Sequence, residues 1–207
     1  TPNYMVALLL SAILGAAFVG SFHANSIGLT GPGFGLDAMA LAGRRALRAY
    51  FAGQDIAYAV IAVPLLVAVS FALAAVAGHP ADGFLAAAVE LAAIGAALGL
   101  VSIFTVVLAY PVEKRAGSPT PRPVSGYAGR SVGATFATLF SVAVLALPVL
   151  LGAALTGSDP AGVRMPVLVA CGAVWGLGLA WTGVTVAART AEQRLPELYQ
   201  IAARSKL

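Results

Sequence analysis

Five apolar stretches, each long enough to cross a bilayer as a helix, constrain this chain more than any other feature of its sequence. They are Tyr4 to Phe22, Ile56 to Gly78, Phe84 to Tyr110, Val132 to Leu155 and Met165 to Ala188. A spanning helix needs about 20 apolar residues, because each residue rises 1.5 Å against a hydrocarbon core of about 30 Å. Membrane strands would be half as long and would alternate polar with apolar residues; these runs do not alternate. Only 10% of the 207 residues are charged and 60% are apolar, whereas a soluble domain carries about 25% charge. The expected fold is therefore all-α, a polytopic transmembrane helix bundle forming a single domain over residues 1–207, with the lipid bilayer as its main solvent.

The joints between the runs have helix-breaking chemistry. Gly78-His79-Pro80 ends the second run, Asp82 opens the third, and Gly157-Ser158-Asp159-Pro160 separates the last two. These are short hairpin turns built on Gly and Pro. The other two joints, Ala24 to Asp55 and Pro111 to Ser131, are long and basic. Eleven of the twelve cations fall on the side of those long joints and the C-terminus, with only Arg164 opposite. By the positive-inside rule both long joints and the C-terminus are cytoplasmic and Thr1 is outside. The net charge of +4 is thus a topology signal and implies no nucleic-acid partner. An odd number of spans with an outside start leads us to expect at least one further span upstream.

Within the first long joint, Asp37 to Tyr50 reads as a short amphipathic helix. Met39, Leu41, Ala42, Ala46, Ala49 and Tyr50 can share one face, Arg44, Arg45 and Arg48 lie elsewhere, and Asp37 can cap the start. We expect it to lie at the interface and to enter the second span at Gly53-Gln54-Asp55.

Few residues suggest chemistry. His23 and His79 fall on opposite faces of the membrane, and the single cysteine, Cys171, sits in an apolar run; no metal site or disulfide follows from them. No H-E-x-x-H, G-x-G-x-x-G or Walker sequence occurs, so no enzyme activity, cofactor or catalytic residue is expected, and any ATP would be bound by another chain. Glu90 is the one acid inside an expected span. An intramembrane carboxylate is costly and marks either a functional polar site in the bundle or a side chain reaching the interface. Pro64 and Pro148 each remove a helical hydrogen bond and can kink spans two and four. Gly95, Gly99, Gly172, Gly176 and Gly178 are positions where helices can approach closely. Tyr4, Tyr50, Phe51, Phe84, Tyr110 and Tyr127 stand near span ends, as an interfacial aromatic belt would.

Two segments carry a family resemblance. His23-Ala24-Asn25-Ser26-Ile27-Gly28 with Gly31-Pro32 follows the first span, and Gly43-Arg44-Arg45-Ala46-Leu47-Arg48 with Gly53-Gln54-Asp55 precedes the second. This order resembles the permeases of ABC-2 type ABC transporters, particularly actinobacterial ones, over about Ala24 to Ile56. The resemblance implies an exporter permease of the plasma membrane whose five spans here are the later five of six. It further implies pairing with a second permease domain, as a homodimer or with a different chain, and docking on a cytoplasmic ATPase subunit that binds the ATP and Mg. The 37–50 segment would be the coupling helix, with Gly43, Arg44, Arg45 and Arg48 facing the ATPase. Two other readings remain: a secondary transporter or channel using Glu90, and a non-transport anchor or assembly subunit.

Overall fold

A computed structural model describes residues 2–30, 33–34, 43–114, 121–156 and 164–205. Its elements are α1 (Pro2–His23), α2 (Ser26–Thr30), α3 (Arg44–Val76), α4 (Asp82–Val107), β1 (Val112–Glu113), β2 (Arg122–Pro123), α5 (Ala128–Thr156) and α6 (Arg164–Arg204). The five long helices are each long and apolar enough to span a bilayer. The chain is an all-α, multi-pass membrane bundle. Helix is the expected outcome, because hydrocarbon offers backbone N–H and C=O groups no partner outside their own segment. Two residues of β1 pair antiparallel with two of β2, Val112 with Pro123 and Glu113 with Arg122.

The bundle is arranged around α4. Its most apolar window is 83% buried, against 17–33% for the other four long helices, and it packs against α1, α3, α5 and α6. The sequence of α4 explains its place. It is apolar on all sides, the pattern of a helix with no outward face, and rich in Ala and Gly, which let neighbours approach from every direction. The outer helices turn their larger side chains outward: Val60, Ile61, Phe136, Phe140, Val174 and Leu177 are all exposed. Against lipid tails this outward apolar surface is unremarkable, since the tails are as apolar as leucine.

Backbone-to-backbone packing is tightest between α4 and α6. A Cβ built on Gly95 would fall on the backbone of Gly176, one on Gly99 on Leu179, one on Gly172 on Ala88 and one on Gly183 on Gly99. Four of the five glycines named from the sequence thus serve close packing. Gly178 does not, because it has open space on its Cβ side, facing away from α4. Gly183 joins the seam from just beyond them.

Several boundaries differ from the sequence reading. The basic segment is not a separate helix: from Arg44 the chain is helical without interruption through Gly53-Gln54-Asp55 to Val76. An unbroken hydrogen-bond ladder is favoured there because residues 51–56 contain no proline and because Phe51 and Asp55, one turn apart, are both buried. Residues 37–42, including Asp37, lie outside the described residues. Gly43 starts α3 at φ 104°, a left-handed conformation that glycine adopts without steric cost. The last helix runs 16 residues past Ala188, to Arg204. That extension explains another correction: Phe51 is fully buried and Tyr50 partly so, not set in an aromatic belt. They pack with Phe34, Leu47, Leu198 and Tyr199 in a second apolar core. Pro64 and Pro148 lie inside α3 and α5. Beside Pro148, the Trp175 indole N–H donates to the Leu145 carbonyl at 2.9 Å, bridging α6 to the turn that the proline weakens.

The glycine seam gives a direct contrast. Gly95→Leu places a side chain against the α6 backbone and is expected to destabilise the bundle by about 3 kcal/mol. Gly178→Leu, facing open space, is expected to stay within about 0.5 kcal/mol. Unfolding of the purified protein in mixed micelles checks both; equal effects would show that the α4–α6 contact is not where the glycines act.

Candidate functional site

The polar side chains of the bundle gather in two places. One is the end of α4 where the long joints meet. A helix leaves its last four carbonyls without intrahelical partners, and its negative C-terminal end favours cations. Here Arg194 supplies partners to two of them, and side chains from two other segments hold the residues just beyond the helix end. Arg194 of α6 donates to the carbonyls of Val106 at 2.8 Å and Val107 at 3.1 Å. Arg130 of α5 reaches the Ala109 carbonyl at 3.5 Å. Asn25 closes a two-way contact with Tyr110, its amide donating to the Tyr110 carbonyl at 2.9 Å and its Oδ1 accepting from the Tyr110 N–H at 3.3 Å.

The segment His23 to Gly28 acquires a physical meaning from this arrangement. Besides Asn25, the Ser26 and Thr105 hydroxyls lie 3.1 Å apart in the buried contact between α2 and α4. Ile27 is fully buried. Gly28 sits where a Cβ would collide with the Asn25 side chain and the Tyr110 carbonyl. The motif is a clasp on the end of α4. Its residue types are set by that docking, and the side chain of His23 lies outside the described set.

The four residues expected to face a partner lie beside this clasp. Gly43 and Arg45 are exposed. Arg44 Nε donates to Glu192 of α6 at 2.8 Å, with both side chains substantially exposed, and the Arg48 guanidinium stands 5.6 Å from the centroid of the Trp181 ring. Arg44 and Arg48 therefore tie the start of α3 to α6. Arg194 also makes a two-point contact with Glu197, at 2.9 and 2.6 Å, and the Arg194 guanidinium holds the Glu197 carboxyl below the usual carboxylate range. The described parts of both long joints, the start of α3 and the end of α6 share one end of the bundle. The opposite end carries His79, whose ring centroid is 5.8 Å from that of Tyr4.

The second polar site is the seam between α3 and α4. Glu90 is buried, 1% exposed, so it does not reach the interface, and the Ser70 hydroxyl donates to its Oε2 at 2.9 Å. Asp55, also buried, accepts at Oδ1 from the Ser102 hydroxyl at 3.1 Å. Because the helices run antiparallel, the early residue of α3 meets the late residue of α4 and the reverse. The two carboxyl–hydroxyl pairs stand about 20 Å apart along the seam by helical rise. The sequence singled out Glu90 by its lone charge in an apolar run. It gave Asp55 only as a boundary residue and did not single out Ser70 and Ser102. Serine is common in membrane helices, and only the register of α3 on α4 identifies these two as partners.

Two apolar grooves flank these elements. One of about 960 Å³ lies between α5 and α6, bordered by Pro148, Cys171 and Trp175. Another of about 320 Å³ lies between α3, α4 and α6, with Asp55 the one ionisable residue on its wall. Among the described residues no three His, Cys, Asp or Glu side chains group as metal ligands do.

No family model matches the chain, and no curated protein or solved structure matches it either.

Two substitutions probe the polar contacts. Arg194→Ala removes the partner of two α4 carbonyls and is expected to cost about 1–3 kcal/mol, with faster amide exchange confined to the last turn of α4 and residues 108–110. Ser70→Ala leaves a buried carboxyl without its donor and is expected to cost a similar 1–3 kcal/mol. Added to Glu90→Leu, Ser70→Ala should cost far less, which a double-mutant cycle on unfolding in micelles reads directly.

Proposed function

We propose that the chain is a membrane-spanning permease subunit of an ABC exporter in the plasma membrane, driven by a separate cytoplasmic ATPase. The observation that carries the reading is the continuity of α3. The basic turn Arg44–Arg48, which the family resemblance assigns to ATPase contact, is the first turn of a 33-residue helix, a rod of about 50 Å. The same rod carries Asp55 and Ser70 to the α3–α4 seam. A partner that moves the basic end moves Asp55 directly, because Pro64, where the helix can kink, lies beyond it. The Arg44–Glu192 contact and the Arg48–Trp181 stacking extend that displacement to α6.

In this reading the chain performs no covalent chemistry. ATP binding in the partner changes the separation of the ATPase subunits. Their differential affinity for two arrangements of the permease supplies the free energy, and α3 transmits it. A second permease domain completes the pathway. Supporting features are the eleven-to-one cation asymmetry, which puts the basic turn on the cytoplasmic side, and the clasp of Asn25, Ser26 and Gly28 on α4, which gives the motif-bearing joint a fixed position beside it.

The test is co-purification with an ATPase subunit expressed from the same locus. Charge reversal of Arg44, Arg45 and Arg48 together, and of the exposed Arg45 alone, is expected to release the ATPase. A complex that survives both overturns the reading.

Glu90 supports a second reading, a transporter driven by an ion gradient, because a carboxyl buried in a span is costly to keep. Glu90→Gln, which can still accept from Ser70, should then abolish gradient-driven transport by the reconstituted protein. In the exporter reading, ATP-driven transport should persist in that variant.

A further inference from the structure

The groove between α3, α4 and α6 and the stacked pair Arg48 and Trp181 belong to one face of the bundle. On α3 the groove is lined by Asp55, Ile56, Ala59 and Val63. Arg48 stands seven residues before Asp55, two turns back along the same stripe of the helix. On α6 the groove ends at Ala180, and Trp181 follows it. Ile56, Leu177 and Trp181 are 63%, 70% and 60% exposed, so the groove opens sideways to the bilayer with the indole at its mouth. Its floor holds Gly95 and Gly176, where α4 and α6 approach backbone to backbone. The mouth lies on the side of the long joints, which the cation count makes cytoplasmic.

The geometry points to this face as a binding site for one anionic phospholipid of the cytoplasmic leaflet, with its phosphate at Arg48 and one acyl chain along the groove. Arg48 makes no hydrogen bond or ion pair among the described residues, and its Nε is buried without a partner. A guanidinium stacked on a ring keeps its in-plane N–H groups for an anion. Its fork on a phosphate is among the strongest charge-assisted hydrogen bonds. Length identifies the occupant as lipid. From Arg48 to the inner end of the groove at Val63 is about 22 Å by helical rise. Half a hydrocarbon core plus one headgroup layer is about 20–22 Å, so the stripe runs from the phosphate level of one leaflet to the midplane. Arg189, two turns past Trp181 on α6, is exposed and likewise without a partner among the described residues. Asp55 borders the mouth on the α4 side, buried, with Oδ1 accepting from Ser102. Two cations thus stand against one acid at the headgroup layer. A zwitterionic head brings its own ammonium to those cations and gains less. The acyl chain gains little over bulk lipid, because other chains are as apolar as the lining. Its part is to seat the head beneath Arg48, and discrimination falls on net charge.

The site stands apart from the exporter reading, since binding is read on this chain alone. Of the basic turn, Arg48 then faces the bilayer and Arg45, one turn further out, the cytoplasm. The chain has two tryptophans, and Trp175 borders the other groove, so Trp175→Phe protein reports on Trp181. In phosphatidylcholine nanodiscs, phosphatidylglycerol brominated near the top of its acyl chains is titrated in as a mole fraction. It is expected to quench Trp181 with a midpoint about tenfold below that of phosphatidylcholine brominated in the same way, the scale of one charged hydrogen bond. In Trp181→Phe protein the two brominated lipids should quench Trp175 alike. Arg48→Gln, in the Trp175→Phe background, is expected to bring the two midpoints together.

Ala59→Phe fills the groove and leaves every charge in place. It covers the case in which Arg48→Gln does not fold, and it separates a seated lipid from mere attraction to a basic surface; it too should abolish the preference. Equal midpoints for the two lipids at Trp181, or a preference that persists in either variant that folds, overturns the inference. Relief of the quenching by millimolar inorganic phosphate at constant ionic strength also overturns it, because Arg48 would then be holding a free anion.

Discussion

The bundle depends on one helix being small on every side. α4 can sit at the centre because Ala and Gly recur along it, ten of its 26 residues, and its closest neighbour, α6, answers with glycines at Gly172, Gly176 and Gly183. Between helices in lipid there is no hydrophobic gain to be made, so association relies on dispersion contacts and polar pairs. Dispersion falls off over fractions of an ångström, which is why the absence of a few Cβ atoms decides which helices touch. The outer helices need no such restraint, and their bulky side chains face outward.

A central helix with no outward face creates its own difficulty, since its C-terminal carbonyls emerge among other segments. Arg194 takes two of those carbonyls, and Asn25 and Arg130 hold Tyr110 and Ala109 just beyond them. Each of these three side chains comes from a different part of the chain, so the end of α4 also fixes how the first long joint, α5 and the tail of α6 sit around it. The second apolar core, with Phe51 and Leu198 at its heart, builds on that junction. The bundle thus has two centres of organisation: dispersion along the α4–α6 seam, and charge-assisted hydrogen bonding where α4 ends.

The five spans were legible in the sequence because hydrocarbon thickness fixes the length of an apolar run, and four of the five glycines because helices in lipid need small residues to touch. What lay beyond the runs was less so. Residues Arg189 to Arg204 carry enough charge to end a membrane span, and charge alone cannot say whether the helix ends with it; α6 continues because Leu198, Ile201 and Ala202 find apolar partners in Leu47 and Phe51. The same contact moved Phe51 from the expected interface into a core. Glu90 stood out by charge, but its depth did not. Two turns from a helix start is the interface for an outer helix and the interior for a central one, and only tertiary packing makes α4 central.

The seam between α3 and α4 joins these threads. Each carboxyl on it is met by a serine from the facing helix, so sliding α3 by a single turn would separate both pairs at once. Such a seam resists sliding and tolerates displacement only as a unit, with α4 or away from it. At its far end α3 turns through a tight hairpin into α4, with the His79 N–H on the Ala74 carbonyl at 2.9 Å, and Val76 is 89% exposed. Its basic end, by contrast, is tied to α6 through Arg44 and Glu192. A push on the basic turn would therefore be felt first at Asp55, a few turns along, and later at Glu90. The order of the two acids along α3's seam thus sets the order in which motion at the basic end reaches the two buried pairs, Asp55 with Ser102 before Ser70 with Glu90.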